Sequence, residues 1–388
     1  MESSTMQFVS KLSENQVIIR DTIRDFAEKN IRPYIMKFDE SQEFPVDILH
    51  QLGELGFLGI LVSEEYGGAG LGYTDFSIII EELARVDPSI SLSVAAHNGL
   101  CTNHIHKFAN EDQKKKYLPD LTSGKKIGAW GLTESSSGSD AAGMKSVAEK
   151  KGNYYILNGN KTFTTHGTVG ETAVVMAITD KSKGKKGISA FILEKGMDGF
   201  IAGKKENKLG MRASDTTQLA FDNCKIPAEN LIGEEGEGFV QAMKVLEGGR
   251  ISIAALSVGL AQGCLDASLK YVNERKQFGK FLKDFQAIQF KLAEMAVNIE
   301  AARLLTRKAA FMKDNSQPNT KEAAMAKLFA SEIAEKASSE AVQIFGGYGF
   351  IKDYPVEKFY RDVKLCTIGE GTSEIQRIVI ARDLLKEL

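Results

Sequence analysis

The sequence predicts an α+β protein in three parts: an N-terminal α-helical domain (residues 1–125), a middle β-domain (126–235) and a C-terminal α-helical bundle (236–388). Two observations support this order. Apolar residues recur every three or four positions in the first third and again after about residue 240, which is typical of amphipathic helices. Between these regions lie short β-prone runs separated by Gly, Lys and Asp, which is typical of strands joined by turns.

The first helix is predicted to begin at a capping box, because Ser13 and Gln16 have the spacing in which each side chain caps the backbone N–H of the other. Pro33 should stop or bend this helix, since proline cannot donate a backbone hydrogen bond. Residues 44–60 and 75–87 are predicted to form the second and third helices.

The middle part is expected to be all-β. The Asn158-Gly159 pair in YYILNGNKTF lies between two β-prone runs and predicts a hairpin turn. Three further strands are predicted over residues 172–180, 187–195 and 216–223.

Two long helices are predicted in the C-terminal part, within residues 285–305 and 320–347. The second is rich in alanine, and both need broad packing partners. They therefore predict a helical bundle.

Near the end of the chain, TIGEGTSEIQR places one carboxylate, Glu370, between Gly369 and Gly371. Because helix interiors avoid glycine, we predict a bend here, with a helix resuming at about Thr372. A carboxylate flanked by glycines can be approached closely from both sides. This setting suits a base that must touch a substrate, and it equally suits a solvent-exposed turn.

Composition excludes several classes of protein. The net charge of −2 gives no electrostatic case for binding nucleic acid or an anionic membrane. We expect no transmembrane helix, since no run of about 18 apolar residues is present, and the first eight residues do not resemble a signal peptide. The four cysteines form no C-x-x-C pair, which indicates a reduced, cytoplasmic protein. No metal site is expected, because His104 and His106 would face apart on a helix.

Six segments, in order along the chain, resemble motifs of the acyl-CoA dehydrogenases, flavin enzymes that introduce a trans α,β double bond into acyl-CoA thioesters. They are GLTESSSGSD (131–140), LNGNKTFTTHG (157–167), KLGMRASDTTQLAFDNCKIP (208–227), ERKQFGKFLKDFQAIQFKLAEMA (274–296), QIFGGYGF (343–350) and IGEGTSEIQR (368–377). The resemblance implies FAD as cofactor, and a fold with a middle β-barrel or sandwich and a C-terminal four-helix bundle.

By position, Glu370 matches the family's catalytic base. The α-proton of a thioester is very weakly acidic, so this base must be close, desolvated and of raised pKa. The resemblance implies that a backbone N–H at the base and a flavin hydroxyl stabilise the enolate oxygen, while the β-hydride moves to flavin N5. Some members carry the base on a helix just before an arginine. In this sequence that position is Gly249, so the alternative base is absent and Glu370 is the one candidate for this role.

The resemblance assigns further residues to FAD and to the substrate. Those implied to contact FAD are Leu132, Thr133, Phe163, Thr165, Arg275, Phe278, Gln286, Gln343, Gly346, Gly347, Thr372 and Glu374. Those implied to act on the substrate side are Ser139, Glu247, Arg250 and Gly371. For Ser139 a turn cap and for Arg250 a surface helix position remain open as alternatives. Several FAD contacts match residues that reach the cofactor of a neighbouring subunit, which implies a homotetramer.

The sequence departs from the family pattern at three positions. Phe163 stands where the family has tryptophan, and it should still pack on the flavin ring, though with less area. Gly369 stands where many straight-chain members have tyrosine, which predicts a wider acyl pocket that tolerates branched groups. His166 replaces a residue that is often asparagine, so it could tune the flavin potential or make an ordinary polar contact.

The expected function is therefore FAD-dependent dehydrogenation of a short- to medium-chain or short-branched acyl-CoA, with reoxidation by an electron-transferring flavoprotein. The overall resemblance is greatest to short-chain (butyryl-CoA) members. Two alternatives stay open: an acyl-CoA oxidase of the same fold, which reoxidises with O₂, and a non-catalytic protein that binds acyl-CoA or flavin.

Overall fold

The computed structural model describes residues 12–386. Its helices precede and follow a β-sheet along the chain, which confirms the predicted fold class. Within these residues the α-helices are α1 (Glu14–Phe26), α2 (Ile35–Ser41), α3 (Val46–Glu54), α4 (Tyr73–Val86), α5 (Pro88–Ala96), α6 (Asn103–Phe108), α7 (Glu111–Thr122), α8 (Gly238–Glu274), α9 (Gln286–Asp314), α10 (Thr320–Phe345), α11 (Val356–Asp362), α12 (Lys364–Ile368) and α13 (Ser373–Leu384). The first eight residues, to which the signal-peptide expectation applies, lie outside the described range.

Helix α1 begins with the predicted capping box. Ser13 Oγ accepts the Gln16 N–H at 3.2 Å, and Gln16 Oε1 accepts the Ser13 N–H at 3.0 Å. After α1 the chain makes a wide helical turn over Ala27–Ile31 and a tight one over Arg32–Tyr34, which contains Pro33. The predicted bend at this proline is therefore confirmed.

The helix predicted over residues 44–60 was too long. Helix α3 ends at Glu54, and Gly56 follows with a φ of 81°. This left-handed conformation ends the helix, because only glycine adopts it without a steric cost. The helix predicted over residues 75–87 is present as α4.

The strands of the main sheet are β1 (Gly128–Gly131), β2 (Val147–Lys151), β3 (Tyr154–Thr165), β4 (Thr172–Ile178), β5 (Ile188–Glu194), β6 (Phe200–Lys205), β7 (Thr216–Pro227) and β8 (Leu231–Ile232). Their order is β6-β7-β3-β2-β4-β5-β8, with β1 beside β4. The pairing of β2 with β4 is one residue long, between Val147 and Ile178. The sheet therefore consists of two parts that are joined at this residue pair. One part contains β6, β7, β3 and β2, and the other contains β1, β4, β5 and β8. The three strands predicted after residue 171 are present as β4, β5 and β7.

The predicted hairpin at Asn158-Gly159 is wrong, because both residues lie inside β3. The register of β3 on β7 shifts between Leu157 and Gly159, and the extra residue is on β7, so the pair lies opposite a bulge instead of forming a turn. A Cβ on Gly159 would lie 2.3 Å from Ser146 Oγ, so the glycine permits close packing here. The hairpin turn lies earlier in the chain, at Gly152-Asn153, which joins β2 to β3.

Helix α8 is the central helix of the C-terminal part. It packs against α4, α9 and α10, and α10 packs in turn against α13. By length and composition α8 could cross a membrane, but 83% of its most apolar window is buried inside the protein. The apolar composition of α8 is therefore that of a core helix.

A buried ionic cluster joins the N-terminal and C-terminal parts. Lys358 Nζ on α11 donates to Asp87 at 2.9 Å and to Asp362 at 2.5 Å, and all three side chains are fully buried. Asp87 also caps α5 by accepting the Ser89 N–H, and Asp362 accepts the N–H of Met211. Burial lowers the pKa of Lys358, but the two carboxylates outweigh it and raise this pKa above its ordinary value. Lys358 is therefore protonated in the folded protein.

Lys358→Met should destabilise the protein by about 3–5 kcal/mol, because it leaves two buried carboxylates without their cation. Thermal unfolding of the purified protein measures this effect as a lower midpoint. Lys352→Met is the matched control, since Lys352 pairs with Glu40 at the exposed surface, and it should leave the midpoint unchanged. Equal midpoints for the two variants would contradict this account.

Candidate active site

The bend predicted around Glu370 is confirmed. Helix α12 ends at Ile368, and α13 begins at Ser373 with Thr372 as its N-cap. Between them Glu370 and Gly371 have φ values of 56° and 87°. A residue with a Cβ pays roughly 1–2 kcal/mol for this left-handed conformation. Backbone strain of this kind clusters at functional sites, so Glu370 is a strong candidate for a chemical role.

Two buried side chains hold this turn. Lys327 on α10 donates from Nζ to the Gly371 carbonyl oxygen at 2.8 Å. Gln376 on α13 donates from Nε2 to the same oxygen at 2.8 Å and to the Glu370 carbonyl oxygen at 3.2 Å. The strained backbone at Glu370 is therefore fixed by hydrogen bonds from two different helices.

The carboxylate of Glu370 lies against helix α8 at Gly249. A Cβ on Gly249 would come within 2.4 Å of Glu370 Oε2, which is closer than real atoms approach. The neighbouring glycine, Gly248, makes similar room for the hydroxyl of Tyr73, at 2.3 Å from its own added Cβ. The GG pair in α8 thus makes room for two polar side chains that point at the helix.

Burial dominates the electrostatics of Glu370. Its Oε2 atom is buried, and within residues 12–386 it has no hydrogen-bond partner. Burial raises the pKa of the carboxyl to about 7, against the lowering effect of Arg250 and Lys327. A carboxylate with this pKa is a stronger base than an ordinary one at neutral pH.

Arg250 and Glu247 lie on the same stretch of α8. Arg250 Nε and Nη1 are buried without a partner in the described part of the chain, and burial lowers the pKa of this guanidinium. Glu247 accepts hydrogen bonds from Lys313 Nζ and Thr320 Oγ1, both at 3.0 Å. The structure thus brings Glu370, Gly371 and Arg250 into one region, while Glu247 is engaged by α9 and α10.

A second group of predicted residues lies at the sheet. The N–H of Thr162 donates to the Thr133 carbonyl oxygen at 2.8 Å, which holds the loop after β1 against β3. Leu132 and Thr133 are thereby adjacent to Phe163 and Thr165 on β3. Phe163 has a φ of 55° and is 67% exposed. An exposed aromatic ring on strained backbone suits a surface that a flat ligand covers.

A buried ion pair that sequence reasoning missed supports this loop. Lys161 Nζ lies 2.7 Å from Glu134 Oε1, and both side chains are almost fully buried. Lys161 also donates to the Leu132 carbonyl oxygen at 3.3 Å, and Glu134 accepts the N–H groups of Lys145 and Ser146. Ser139 lies at the exposed tip of the same loop.

The remaining predicted cofactor residues lie elsewhere, at the ends of α8, α9 and α10. Arg275, Gln343, Gly346 and Gly347 line one pocket of about 610 Å³. The guanidinium of Arg275 lies 5.5 Å from the ring centre of Tyr348. A Cβ on either glycine would meet no atom within 4 Å, so their backbone faces open space.

Phe278 and Gln286 flank this pocket region. Phe278 and Gly279 form the turn between the short strands β9 (Lys276–Gln277) and β10 (Lys280–Phe281). Both have positive φ, which is rare for phenylalanine, and the Phe278 side chain is 93% exposed. Gln286 is the exposed first residue of α9, and Glu374 lies in the first turn of α13 beside its cap Thr372.

His166 and His97 both form hydrogen bonds to the backbone of Gly128 at the start of β1. His166 is buried, and its Nδ1 lies 3.0 Å from the Gly128 carbonyl oxygen, to which it donates. Burial lowers the pKa of His166, so the ring is neutral. His97 accepts the N–H of the same Gly128 at 3.0 Å. Among residues 12–386 no three His, Cys, Asp or Glu side chains are grouped to hold a metal.

Sequence reasoning missed Lys327 and Gln376, the two residues that hold the turn at the base. A signal was present, because Lys327 falls on the stripe of small residues that α10 buries. The buried small residues of this helix are Ala323, Ala324, Ala326, Ala330, Ser331, Ala334, Ala337, Ser338 and Ala341. A lysine in such a stripe predicts a buried ammonium with a specific partner.

The arrangement fits a flavin dinucleotide. Arg275 offers a guanidinium, which can pair phosphate oxygens bidentately. Gly346 and Gly347 leave their backbone open to close approach. Phe163 offers an uncovered ring beside Leu132 and Thr133, and its left-handed backbone is costly without a ligand to use it.

Comparison with known families gives three matches along the chain. Residues 13–125 match the acyl-CoA dehydrogenase N-terminal domain, residues 129–224 the middle domain and residues 236–385 the C-terminal domain.

Individual relatives are similar over almost their whole length. An acyl-CoA dehydrogenase, short-chain specific, from Clostridium acetobutylicum is 46% identical, over 97% of this chain and 99% of its own. The caffeyl-CoA reductase-Etf complex subunit CarC of Acetobacterium woodii is also 46% identical, with the same coverage. The structure of butyryl-CoA dehydrogenase from Megasphaera elsdenii superposes with a TM-score of 0.95 at 44% identity, covering 97% of this chain and 99% of that one.

Proposed function

The chain belongs to the acyl-CoA dehydrogenase family, and from this premise we propose that it oxidises a short- to medium-chain acyl-CoA, straight or branched, to the trans-2-enoyl-CoA. As a member of this family it is an FAD-dependent oxidoreductase. The observation that carries the proposal is Glu370, a strained, buried carboxylate whose Oε2 has no partner in residues 12–386. Such a group is costly to bury and suits a base.

Glu370 is proposed to remove the α-proton of the thioester. Its Oε2 has a free lone pair to take the proton, and burial raises the pKa of the carboxyl to about 7. The hydrogen bonds to the Glu370 and Gly371 carbonyl oxygens fix the backbone from which the carboxylate extends. Preorganisation of this kind makes proton transfer a matter of proximity and orientation. The backbone N–H of Glu370 is the proposed donor to the enolate oxygen.

FAD, when bound, supplies the acceptor for the hydride that leaves the β-carbon. The residues proposed to hold its flavin end are Leu132, Thr133, Phe163 and Thr165. Those proposed to hold its phosphates and adenosine are Arg275, Phe278, Gln286, Gln343, Gly346 and Gly347, with Thr372 and Glu374 as further contacts. Ser139, Glu247, Arg250 and Gly371 are proposed to serve the substrate side. The exposed, strained Phe163 and the open glycines support this division.

We propose that a second copy of the chain completes the cofactor site within a homotetramer. The support is the position of Phe278, which is 93% exposed on a tight turn beside the pocket at Arg275. We further propose a cytoplasmic location, supported by four cysteines that are all free and buried. An electron-transferring flavoprotein is the proposed acceptor, since the similar Acetobacterium protein is named as a subunit of an Etf complex.

The acyl group is proposed to be short, with room for a branch. Gly369 has no side chain where many straight-chain members have tyrosine. The nearest atoms to an added Cβ are the carbonyl oxygen and side chain of Leu365, 3.4–3.6 Å away. The position is therefore not refilled by another bulky side chain from across the site.

The first experiment is an anaerobic titration of the flavin spectrum with straight acyl-CoAs from butyryl- to dodecanoyl-CoA, and with isobutyryl- and isovaleryl-CoA. Bleaching by short substrates, including isovaleryl-CoA, is the expected result. Bleaching by straight chains alone would refute the wider pocket. A flavin that no acyl-CoA bleaches would mean a binding protein, and rapid reoxidation of the bleached flavin by O₂ would favour an oxidase.

The rate of the chemical step should depend on pH through Glu370. Only the carboxylate can accept a proton, and its pKa is raised to about 7. We expect kcat/KM for butyryl-CoA, which follows the pKa values of the free enzyme, to be about tenfold lower at pH 6 than on the plateau above pH 8, since each pH unit below the pKa costs tenfold in the ionised fraction. Steady-state rates with an artificial acceptor measure this. A flat profile between pH 6 and 8 would argue against Glu370 as a base that titrates near neutrality.

A further inference from the structure

Lys327 is a fully buried lysine in the middle of α10. Its Nζ donates to the Gly371 carbonyl oxygen at 2.8 Å, next to the proposed base. Burying an ammonium costs several kcal/mol, and a single neutral carbonyl compensates this cost poorly. Gln376 already donates to the same oxygen at 2.8 Å, so the turn has a neutral support as well. A structural role alone therefore does not explain why a charged side chain is buried here.

Ionisable groups face Lys327 from every element that surrounds it. Cys366 lies on α12, Glu370 on the turn, Glu374 on α13, and Arg250 on α8. Burial raises the pKa of Cys366 to about 11, so this thiol is neutral. Glu374 interacts with solvent, Arg377 and its own cap. Glu370 is thus the buried carboxylate that the ammonium can stabilise.

We propose that Lys327 is a positioning residue for the base: it fixes the Gly371 carbonyl and places a positive charge beneath the Glu370 carboxylate. The proposal rests on the proposed role of Glu370 in proton abstraction. The charge opposes the desolvation that a buried carboxylate suffers, so the reactive, ionised form of Glu370 persists to lower pH. Arg250 on α8 also favours the ionised form of Glu370, but it makes no hydrogen bond to the turn through its buried Nε and Nη1.

The positive charge of Lys327 itself depends on pH. Burial lowers the pKa of Lys327 to about 8, although Cys366, Glu370 and Glu374 raise it. Below this pH the ammonium stabilises the Glu370 carboxylate, and above it the stabilisation fades. The effect of removing Lys327 should therefore be large at acidic pH and small at alkaline pH.

The test is the pH profile of kcat/KM for the FAD-loaded Lys327→Met variant, with butyryl-CoA as substrate, because this ratio follows the pKa values of the free enzyme. We expect kcat/KM about tenfold below wild type at pH 6.5 and within about twofold of it at pH 9, as for a base whose pKa has risen by about one unit. Lys336→Met is the matched control, because Lys336 lies exposed on the same helix and pairs with Glu294. It should leave the profile unchanged.

A loss of activity that is equal at every pH would overturn the proposal and leave Lys327 a packing residue. If the Met variant does not fold, Lys327→Gln carries the same test, since it keeps an amide donor and loses the charge. An infrared titration of the protonated carboxyl band that is absent in Glu370→Gln gives a second readout without turnover, and this band should move to higher pH in either variant. Full activity in Glu370→Gln would instead refute the base assignment itself.

Discussion

Glu370→Gln should lower kcat about 10³-fold, within the range that a positioned general base contributes. The amide has nearly the shape of the carboxyl but cannot serve as the base. The turn that carries it is held by hydrogen bonds from the side chains of Lys327 and Gln376 to the Gly371 carbonyl oxygen, which the substitution leaves intact. The purified variant should remain yellow and fold with the same midpoint. Stopped-flow bleaching of the flavin by butyryl-CoA measures the chemical step directly.

The matched control for this variant is Glu332→Gln. Glu332 lies on α10 and pairs with Arg377 of α13 at the exposed surface. The Glu332→Gln substitution removes one carboxylate from the contact between these two helices and does not touch the turn. This variant should therefore keep wild-type activity. A Glu370→Gln protein that retained more than a tenth of the wild-type rate would require another base.

After Glu370→Gln, the substitution Gly249→Ala should lower kcat the most. The new methyl group would lie 2.4 Å from Glu370 Oε2, so the carboxylate must move away from α8. A displacement of about 1 Å can cost on the order of 10²-fold in rate. We therefore expect kcat to fall about 100-fold with short acyl-CoA substrates.

Stability separates this effect from misfolding. Alanine is the better helix former, by up to about 1 kcal/mol in a helix interior, so the fold should survive and the flavin should stay bound. Combining Gly249→Ala with Glu370→Gln gives a double-mutant cycle. The alanine should cost little once the base is gone, because both changes act through the same carboxylate. Additive losses in this cycle would show that Gly249 acts on something other than Glu370.

Local signals in the sequence predicted the parts of the fold that are determined locally. The capping box at Ser13 and the bend around Glu370 depend on neighbouring residues, and both are present. The Asn158-Gly159 hairpin was wrong because the competing contacts are distant. The Asn158 side chain accepts the N–H of Asn223 on β7 at 2.7 Å, and this cross-strand bond keeps the pair inside a continuous strand.

The candidate site was predictable only in part. The sequence around Glu370 left both a base and a surface turn open and by itself favoured the turn, and the family resemblance chose the base. Burial of its Oε2 and contact with Gly249 come from α8, more than a hundred positions away in the chain. The ammonium of Lys327 reaches Gly371 across 44 positions. Such pairs leave no local pattern, although a lysine among buried alanines is a clue to one of them.

The ionic cluster of Asp87, Lys358 and Asp362 also constrains how the chain is made. Asp87 and Lys358 are 271 positions apart. At about 5–20 residues per second, the N-terminal helices leave the ribosome roughly 15–50 s before their buried cation is synthesised. Helix α8, against which α4 packs, also emerges later. The nascent N-terminal part therefore exposes an apolar face and an unpaired carboxylate to water until the last helices have been synthesised.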